Sequence, residues 1–177
     1  MSENLKTSLK YYGISPWEIE VIYGYFNSRF IISQEEIEPN DKEFVSFLDI
    51  EIPLTFNDEF FQWFEYRRWE KIKDVFKEMK RRRGSGNAIK IQLSFLGNPK
   101  IVFVLDIEDK RWYDNAIEKI DFVLELLPYH LNPEKLPSDI IEIKYKFDIE
   151  SIRWRLNSAK SNEKKYFFRG DSWNAIT

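Results

Sequence analysis

The sequence predicts an α+β fold, and three observations on hydrophobic periodicity and polarity support this. Some segments carry apolar residues at every second position, as strands do, and others carry them every three to four residues, as helices do. Between residues 43 and 156 these segments follow the order strand–helix–strand–strand–helix–strand. The strands also carry polar residues at alternate positions, which favours an antiparallel sheet covered by helices on one face only.

The first predicted element is a helix that begins at a capping signal. In Ser15-Pro16-Trp17-Glu18 the serine oxygen and the glutamate carboxylate can each accept a hydrogen bond from a free backbone N–H group. Proline suits the first helical position. Four apolar residues then recur at helical spacing and predict a helix over residues 15–30: they are Ile19, Ile22, Tyr23 and Phe26. The polar stretch 33–41 is predicted to be a loop.

The next four elements form the first half of the predicted core. Residues 43–54 alternate as a strand that ends at a proline, and residues 58–82 have the apolar stripe of a helix. Residues 87–97 and 101–107 read as two strands, and the Gly-Asn-Pro-Lys turn between them predicts a hairpin.

The second half of the predicted core contains one more helix and one more strand. Residues 113–127 have a helical stripe, and the three prolines in 128–139 predict a loop. Residues 139–150 alternate as a strand whose phase changes near Ser151, which indicates a bulge or a bend. Residues 166–173 are predicted to form a short terminal strand.

The order of these elements is that of the ferredoxin-like βαββαβ fold, with an antiparallel sheet and helices on one face. An α+β sandwich with another strand order is the structural alternative. We expect a single domain over residues 1–177, with the core at about 43–156. The helix at 15–30 and a C-terminal extension at 157–177, which includes the terminal strand, would be additions to that core.

Composition narrows the functional classes. The chain has no cysteine, which excludes disulfides, thiol nucleophiles and cysteine-based zinc sites. The polar N-terminus and the lack of a long apolar run predict a cytoplasmic protein that does not enter a membrane. A net charge of −3 means that any binding of nucleic acid would need a local basic patch. The 15 Phe, 9 Tyr and 6 Trp favour either an interaction surface or a phenylalanine-rich core.

The basic run Lys80–Arg83 precedes Gly84 at the end of the second predicted helix. Glycine is the usual residue where a helix ends, and cations in the last turn complement the helix dipole. The glycines follow a helix and lead into a strand, whereas phosphate-binding loops precede a helix. A contact with phosphate is the alternative interpretation, and it would involve Lys80, Arg82 and Arg83, together with Lys90.

The outer face of the same helix carries aromatic and basic residues in one strip: they are Trp63, Tyr66, Lys73, Lys77 and Arg81. We predict that this strip binds a protein partner, because tryptophan, tyrosine and arginine are enriched at interfaces. Stacking on a single-stranded nucleic acid is an alternative. A solvated face, or burial under the N-terminal helix, is the interpretation without a function.

Three carboxylates lie on the polar face of the predicted sheet. Asp49 and Glu51 share one face of their strand, and Asp106 ends a strand that the ferredoxin-like order places beside it. Oxygen ligands of this kind hold Mg²⁺ or Mn²⁺ and support phosphoryl chemistry. The arrangement resembles the palm of archaeal-type primase-polymerases, although those enzymes place a histidine on the intervening strand, where this sequence has Lys90 and Gln92. Polar alternation on a half-exposed strand also produces such a pattern without a function.

These observations favour a non-enzymatic interaction domain, such as an inhibitor, an immunity-type protein or an assembly subunit, that acts through an aromatic-rich surface. A protein partner or self-association into a homodimer is expected, with no cofactor. The alternative is a metal-dependent nucleic-acid or nucleotide enzyme that uses Mg²⁺ or Mn²⁺ at Asp49, Glu51 and Asp106. A nucleic-acid binder without chemistry is a third hypothesis. His130 is the only histidine, and its proline-rich surroundings predict a surface position rather than a catalytic base.

Overall fold

The computed structural model describes residues 5–84 and 86–176, which form one mixed sheet with helices packed against it. The strands are β1 (Lys6–Tyr12), β2 (Ile31–Glu36), β3 (Ser46–Ile52), β4 (Ile89–Phe95), β5 (Lys100–Leu105), β6 (Glu142–Asp148), β7 (Arg153–Lys160), β8 (Lys165–Arg169) and β9 (Ser172–Ala175). The helices are α1 (Pro16–Asn27), α2 (Asp58–Phe64), α3 (Tyr66–Arg83), α4 (Lys110–Glu118) and α5 (Leu127–His130), with a 3₁₀ turn at Asp121–Glu125.

The structure confirms the α+β class, but the sheet is mixed rather than antiparallel, and its strand order differs from the ferredoxin-like prediction. The nine strands lie in the order β2-β1-β3-β4-β5-β6-β7-β8-β9. Each of the two central helical connections joins neighbouring parallel strands, β3 to β4 and β5 to β6. A ferredoxin-like order would place β3 beside β5, whereas here β4 lies between them. Hydrophobic periodicity determines which face of each strand is buried, but it does not determine which strands lie side by side. The ferredoxin-like order and the observed order are therefore compatible with the same sequence pattern.

Two strands at the N-terminal side of the sheet were not predicted. Strand β1 lies between β2 and β3, with β2 parallel and β3 antiparallel to it. Strand β2 is one edge of the sheet, and it includes part of the stretch that is predicted to be a loop. Its residues are mostly exposed, because an edge strand buries little and can therefore be polar.

The predicted capping box of α1 is confirmed. The Ser15 hydroxyl accepts a hydrogen bond from the Glu18 N–H at 3.2 Å, and the Glu18 carboxylate accepts one from the Ser15 N–H at 3.0 Å. The helix predicted at 58–82 is instead divided into α2 and α3 at Glu65, which has a φ of 77°. Helix α3 ends as predicted at Gly84, whose N–H donates to the Lys80 carbonyl oxygen.

The core lies between the helices and one face of the sheet, and it is unusually aromatic. Phe60 stacks on Phe64 with 5.3 Å between ring centroids, and Phe56 packs edge-on against Phe103 at 5.1 Å. The indole N–H of buried Trp154 donates to the carbonyl oxygen of Ala116 at 2.8 Å. Much of the aromatic excess is therefore core.

The C-terminal side of the sheet consists of four consecutive antiparallel strands, β6 to β9, joined by short turns. The predicted phase change near Ser151 is a turn between β6 and β7, in which Ile152 has a φ of 55°. The predicted terminal strand is the hairpin of β8 and β9, whose turn residues Gly170 and Asp171 both have positive φ. Among the described residues, no helix is long and apolar enough to span a membrane.

Candidate functional site

The strip predicted on the helix face does not form one exposed surface. Lys73 is buried between α3 and the 3₁₀ turn, where its ammonium lies 2.6 Å from Asp121 and 3.2 Å from Glu70. Burial alone would lower the pKa of Lys73, but the two carboxylates outweigh it and raise the pKa. Lys77 forms an ion pair with Glu118 of α4. These two lysines therefore stabilise the contact between α3 and the α4 region.

The other three residues of the strip lie apart from one another. Trp63 belongs to α2 and packs edge-on against Phe30 at 5.4 Å, so it is only partly exposed. Tyr66 begins α3 and is 42% exposed. Arg81 is exposed near the end of α3 and forms a local ion pair with Glu78. The break at Glu65 separates Trp63 from the face of α3, so one helical wheel does not describe the whole segment.

Arg83, the last residue of the basic run, lies inside the fold. Its guanidinium forms two hydrogen bonds of 2.7 Å to the buried carboxylate of Glu18, and it also donates to the Ser46 hydroxyl at 2.9 Å. Burial alone would raise the pKa of Glu18, but hydrogen bonds from Arg83 and Ser15 outweigh it and lower the pKa to about 2. Both charges are therefore satisfied within the protein.

The other residues predicted to contact phosphate also have partners within the protein. Lys80 is fully buried, and its ammonium donates to the Gly86 carbonyl oxygen at 3.0 Å. Burial lowers its pKa. Arg82 lies over the ring of Trp17 at 5.0 Å, and Lys90 lies 3.4 Å from Asp41. Together with Arg83, these residues make four cations that lie in four different environments.

The three carboxylates lie on the polar face of the sheet, but the structure does not place their strands side by side. Because β4 lies between β3 and β5, Asp49 and Asp106 are separated by about two strand spacings, or roughly 10 Å. Glu51 forms an ion pair with Lys100 at 3.3 Å, and Asp106 forms one with Lys146 at 3.1 Å. The predicted adjacency is wrong. Within residues 5–84 and 86–176, no group of three or more His, Asp or Glu residues is placed to hold a metal.

A cleft opens in the sheet where the pairing between β7 and β8 stops. The two strands pair over three positions, from Ser158 with Phe167 to Lys160 with Lys165. Before Ser158, strand β7 continues to pair with β6 on its other side. The part of β8 and β9 beyond Phe167 therefore diverges from β7. We call the resulting space the β7–β8 cleft.

Three parts of the chain form the walls of the β7–β8 cleft, which has a volume of about 210 Å³. The first wall is β7, the second is the β8–β9 hairpin, and the third is the segment around α5. The lining residues are Arg153, Trp154, Arg155 and Leu156; Phe168, Asp171 and Trp173; and Leu126, Tyr129, His130 and Lys135. The cleft thus combines aromatic rings with cations.

Exposed apolar side chains of α5 and of the residue before it line this cleft. Tyr129 is 73% exposed and lines it, as does Leu126 at 37%. Phe122, one turn earlier, is 60% exposed. Phe168 and Trp173 form an edge-on pair at 5.1 Å and are partly exposed on the facing wall. Apolar side chains that are exposed together around one cleft are a feature of interaction surfaces.

The electrostatics of the cleft are dominated by cations. Lys135, Arg153 and Arg155 line it against the single carboxylate of Asp171. His130, predicted at the surface, is half-buried in the cleft with Nδ1 2.8 Å from the Tyr145 hydroxyl. Burial lowers the pKa of His130, and the charge of Arg153 adds to that effect. The lowered pKa favours the neutral form of the histidine at neutral pH, so the positive charge of the cleft comes mainly from its arginines and lysine.

Sequence reasoning missed this cleft for an identifiable reason. The sequence predicts one amphipathic helix over residues 113–127, whereas the chain forms α4 and a separate 3₁₀ turn, so the exposure of Phe122 and Leu126 does not follow from that prediction. Phe122, Leu126 and Tyr129 nevertheless recur at spacings of four and three, which is the signal that could have found a separate apolar face. The facing wall depends on a hairpin whose partner strand the sequence does not specify.

The chain matches no protein-family model, no curated protein and no solved structure. Function is therefore inferred from the geometry and charge of the β7–β8 cleft.

Proposed function

We propose that the protein is a non-enzymatic interaction domain that binds a partner protein at the β7–β8 cleft. The proposal rests on one observation, which is that exposed aromatic side chains and cations line the same cleft. Tyr129 and Trp173 supply large and rigid contact area, and Arg153 and Arg155 lie on the same cleft. Tyrosine, tryptophan and arginine are the residues that most often dominate binding energy at protein interfaces.

The size of the cleft favours a protein over a small molecule. Its volume of about 210 Å³ is below the roughly 300–1,000 Å³ of sites that enclose small ligands. Such a space contacts a short segment of a partner and leaves the rest of the partner on the surrounding surface.

The charge of the cleft favours an acidic partner. Three cations and one carboxylate line it, although the chain as a whole carries a net charge of −3. A partner surface with apolar side chains and carboxylates would complement both properties of the cleft, and opposite charges would also steer its approach.

Site-specific photocrosslinking in the source organism tests the proposal. A photoreactive phenylalanine analogue would replace Tyr129 or Trp173, and Trp17, which is 57% exposed on helix α1, would serve as the matched control position. We expect one defined protein adduct from positions 129 and 173 and none from position 17, because only the first two border the cleft. An adduct between two copies of this chain would instead assign the cleft to self-association. Identical adducts from all three positions, or none, would contradict the proposal.

A further inference from the structure

We propose that the partner is recognised through an extended segment that adds as a strand to the free edge of β7 at Arg153–Leu156, with acidic and apolar residues alternating along it. This inference rests on the proposed function and specifies its mode of recognition. It follows from the backbone of β7, from the direction of its side chains and from the charge beside it.

The edge of β7 is available over four residues. The ladder with β8 runs only from Ser158 to Lys160, and among the described residues no other strand pairs with β7 on that side. Arg153, Trp154, Arg155 and Leu156 all line the cleft, although successive side chains of a strand point to opposite faces. Four consecutive lining residues therefore mean that the edge of the strand, rather than one of its faces, borders the cleft.

The backbone at this edge has unused hydrogen-bonding capacity. The opposite side of β7 is taken by β6, through pairs such as Phe147 with Trp154 and Tyr145 with Leu156. In a strand with one antiparallel neighbour, about half of the N–H and C=O groups point away from that neighbour. These groups form the template that an extended peptide uses when it extends a sheet.

The side chains of β7 define the pattern that an added strand would need. Trp154 and Leu156 are buried towards the helices, whereas Arg153 and Arg155 are exposed on the other face. A strand paired with this edge alternates in the same way, so its apolar side chains would lie beside Trp154 and Tyr129. Its intervening carboxylates would lie beside the two arginines. Arg155 has an exposed ion pair with Asp148 at 3.6 Å, which is weak enough to exchange for a new partner.

Arginines on a free strand edge also have a role without a ligand, since charged residues discourage edge-to-edge aggregation. That role does not require aromatic residues opposite the edge. Tyr129, Phe168 and Trp173 face the same cleft and present rings that a purely protective edge would not need. The combination of a free strand edge, two neighbouring arginines and aromatic residues on the facing wall favours a binding site.

The test uses linear nonapeptides from a random display library, selected on the immobilised full chain and then synthesised. We expect selected peptides to alternate acidic with apolar or aromatic residues. Methylating alternate backbone nitrogens of such a peptide should weaken binding at least tenfold, because it removes ladder donors and keeps every side chain. Hydrogen exchange at Arg153–Leu156 should slow when the unmodified peptide is bound.

Variants of the protein distinguish binding at the edge of β7 from a general effect of surface charge. The double variant Arg153→Glu and Arg155→Glu should weaken binding of the selected peptide at least tenfold, whereas the control Arg67→Glu, an exposed arginine on α3, should leave it unchanged. Failure to enrich peptides, or binding that survives backbone methylation, would overturn strand addition. If crosslinks from positions 129 and 173 are still found in that case, the proposed function stands and only this mode of recognition fails.

Discussion

Arg83 ties together the ends of three elements, namely helix α3, helix α1 and strand β3. Its guanidinium meets the Glu18 carboxylate through two hydrogen bonds of 2.7 Å and reaches Ser46 at the start of β3. The pair is largely shielded from solvent, with Glu18 only 3% exposed. Removing one member of such a pair leaves the other as an uncompensated buried charge, which costs more than the intact pair contributes.

Replacing Arg83 with methionine should therefore lower the free energy of unfolding by about 3–5 kcal/mol. The double variant Glu18→Gln with Arg83→Met should lose less than the sum of the two single variants, because it leaves no unpaired charge. Chemical denaturation of the four proteins measures this coupling. Additive losses would show that the two side chains do not interact.

The same pair predicts a pH dependence of stability. The pKa of Glu18 falls from an ordinary value of 4.5 to about 2 in the folded protein. The unfolded chain thus binds this proton more readily, so the stabilisation is complete above pH 4.5 and is lost as the pH falls towards 2. The lost free energy is about 3 kcal/mol. In Glu18→Gln this part of the acid dependence should disappear from denaturation curves recorded between these pH values, and an unchanged curve would contradict the assignment.

At the scale of elements, the boundary between α2 and α3 shows how a helix ends without a sequence signal. Glu65 has a φ of 77°, a conformation that suits glycine, yet neither glycine nor proline occurs near it. Its N–H donates to the Phe61 carbonyl oxygen, and its carboxylate pairs with Arg29 and Arg68 across an exposed surface. Packing of the aromatic core on both sides therefore holds the turn against local preference.

Replacing Glu65 with glycine should leave thermal stability unchanged or raise it, by up to about 1 kcal/mol, because glycine adopts positive φ without strain. The two ion pairs that are lost contribute little, since Glu65 is more than half exposed. The matched control Lys71→Gly, on the exposed face inside α3, should destabilise the protein by about 1 kcal/mol. An equal loss of melting temperature in both variants would mean that residues 58–83 behave as one helix.

The sequence largely predicts the helices and strands themselves, but it does not predict which strands lie side by side. The capping box of α1, the end of α3 at Gly84 and the polar alternation of β3 and β4 all follow from local chemistry. Strand neighbours depend on how connections cross the sheet, and the β7–β8 cleft depends on where one ladder stops. The burial of Lys73 and Arg83 was likewise hidden, because their carboxylate partners are distant in the sequence.

At the scale of the whole molecule, the β8–β9 hairpin is only weakly tied to the core. Among the described residues, the buried apolar side chains belong to positions between Leu9 and Ala159. The hairpin adds only partly buried rings such as Tyr166 and Trp173. It joins the sheet through three residue pairs with β7. The hairpin therefore supplies a wall of the cleft and little of the stabilising burial.

A chain that ends at Ser161 should consequently remain folded and unfold in one cooperative transition, at a lower melting temperature than the full chain. In the full chain, backbone amides of β8 and β9 should exchange faster than those of β4 and β5, because opening the hairpin exposes less apolar surface. Calorimetry and hydrogen exchange measure the two effects. An unfolded truncated chain would show that the hairpin is part of the cooperative core.

The strand order also has a consequence for synthesis. From β3 onward, every strand pairs with the one that follows it in the chain, and no later strand has to insert between two that are already joined. As the polypeptide leaves the ribosome, the sheet can grow at one edge in the order of translation, with each new strand finding its template already formed. On this route the edge of β7 is the growing end to which β8 adds through a short ladder of three residue pairs. Because β8 pairs with only part of that edge, the segment proposed to accept a partner's strand is the part of β7 that the protein's own described strands leave unpaired on this side.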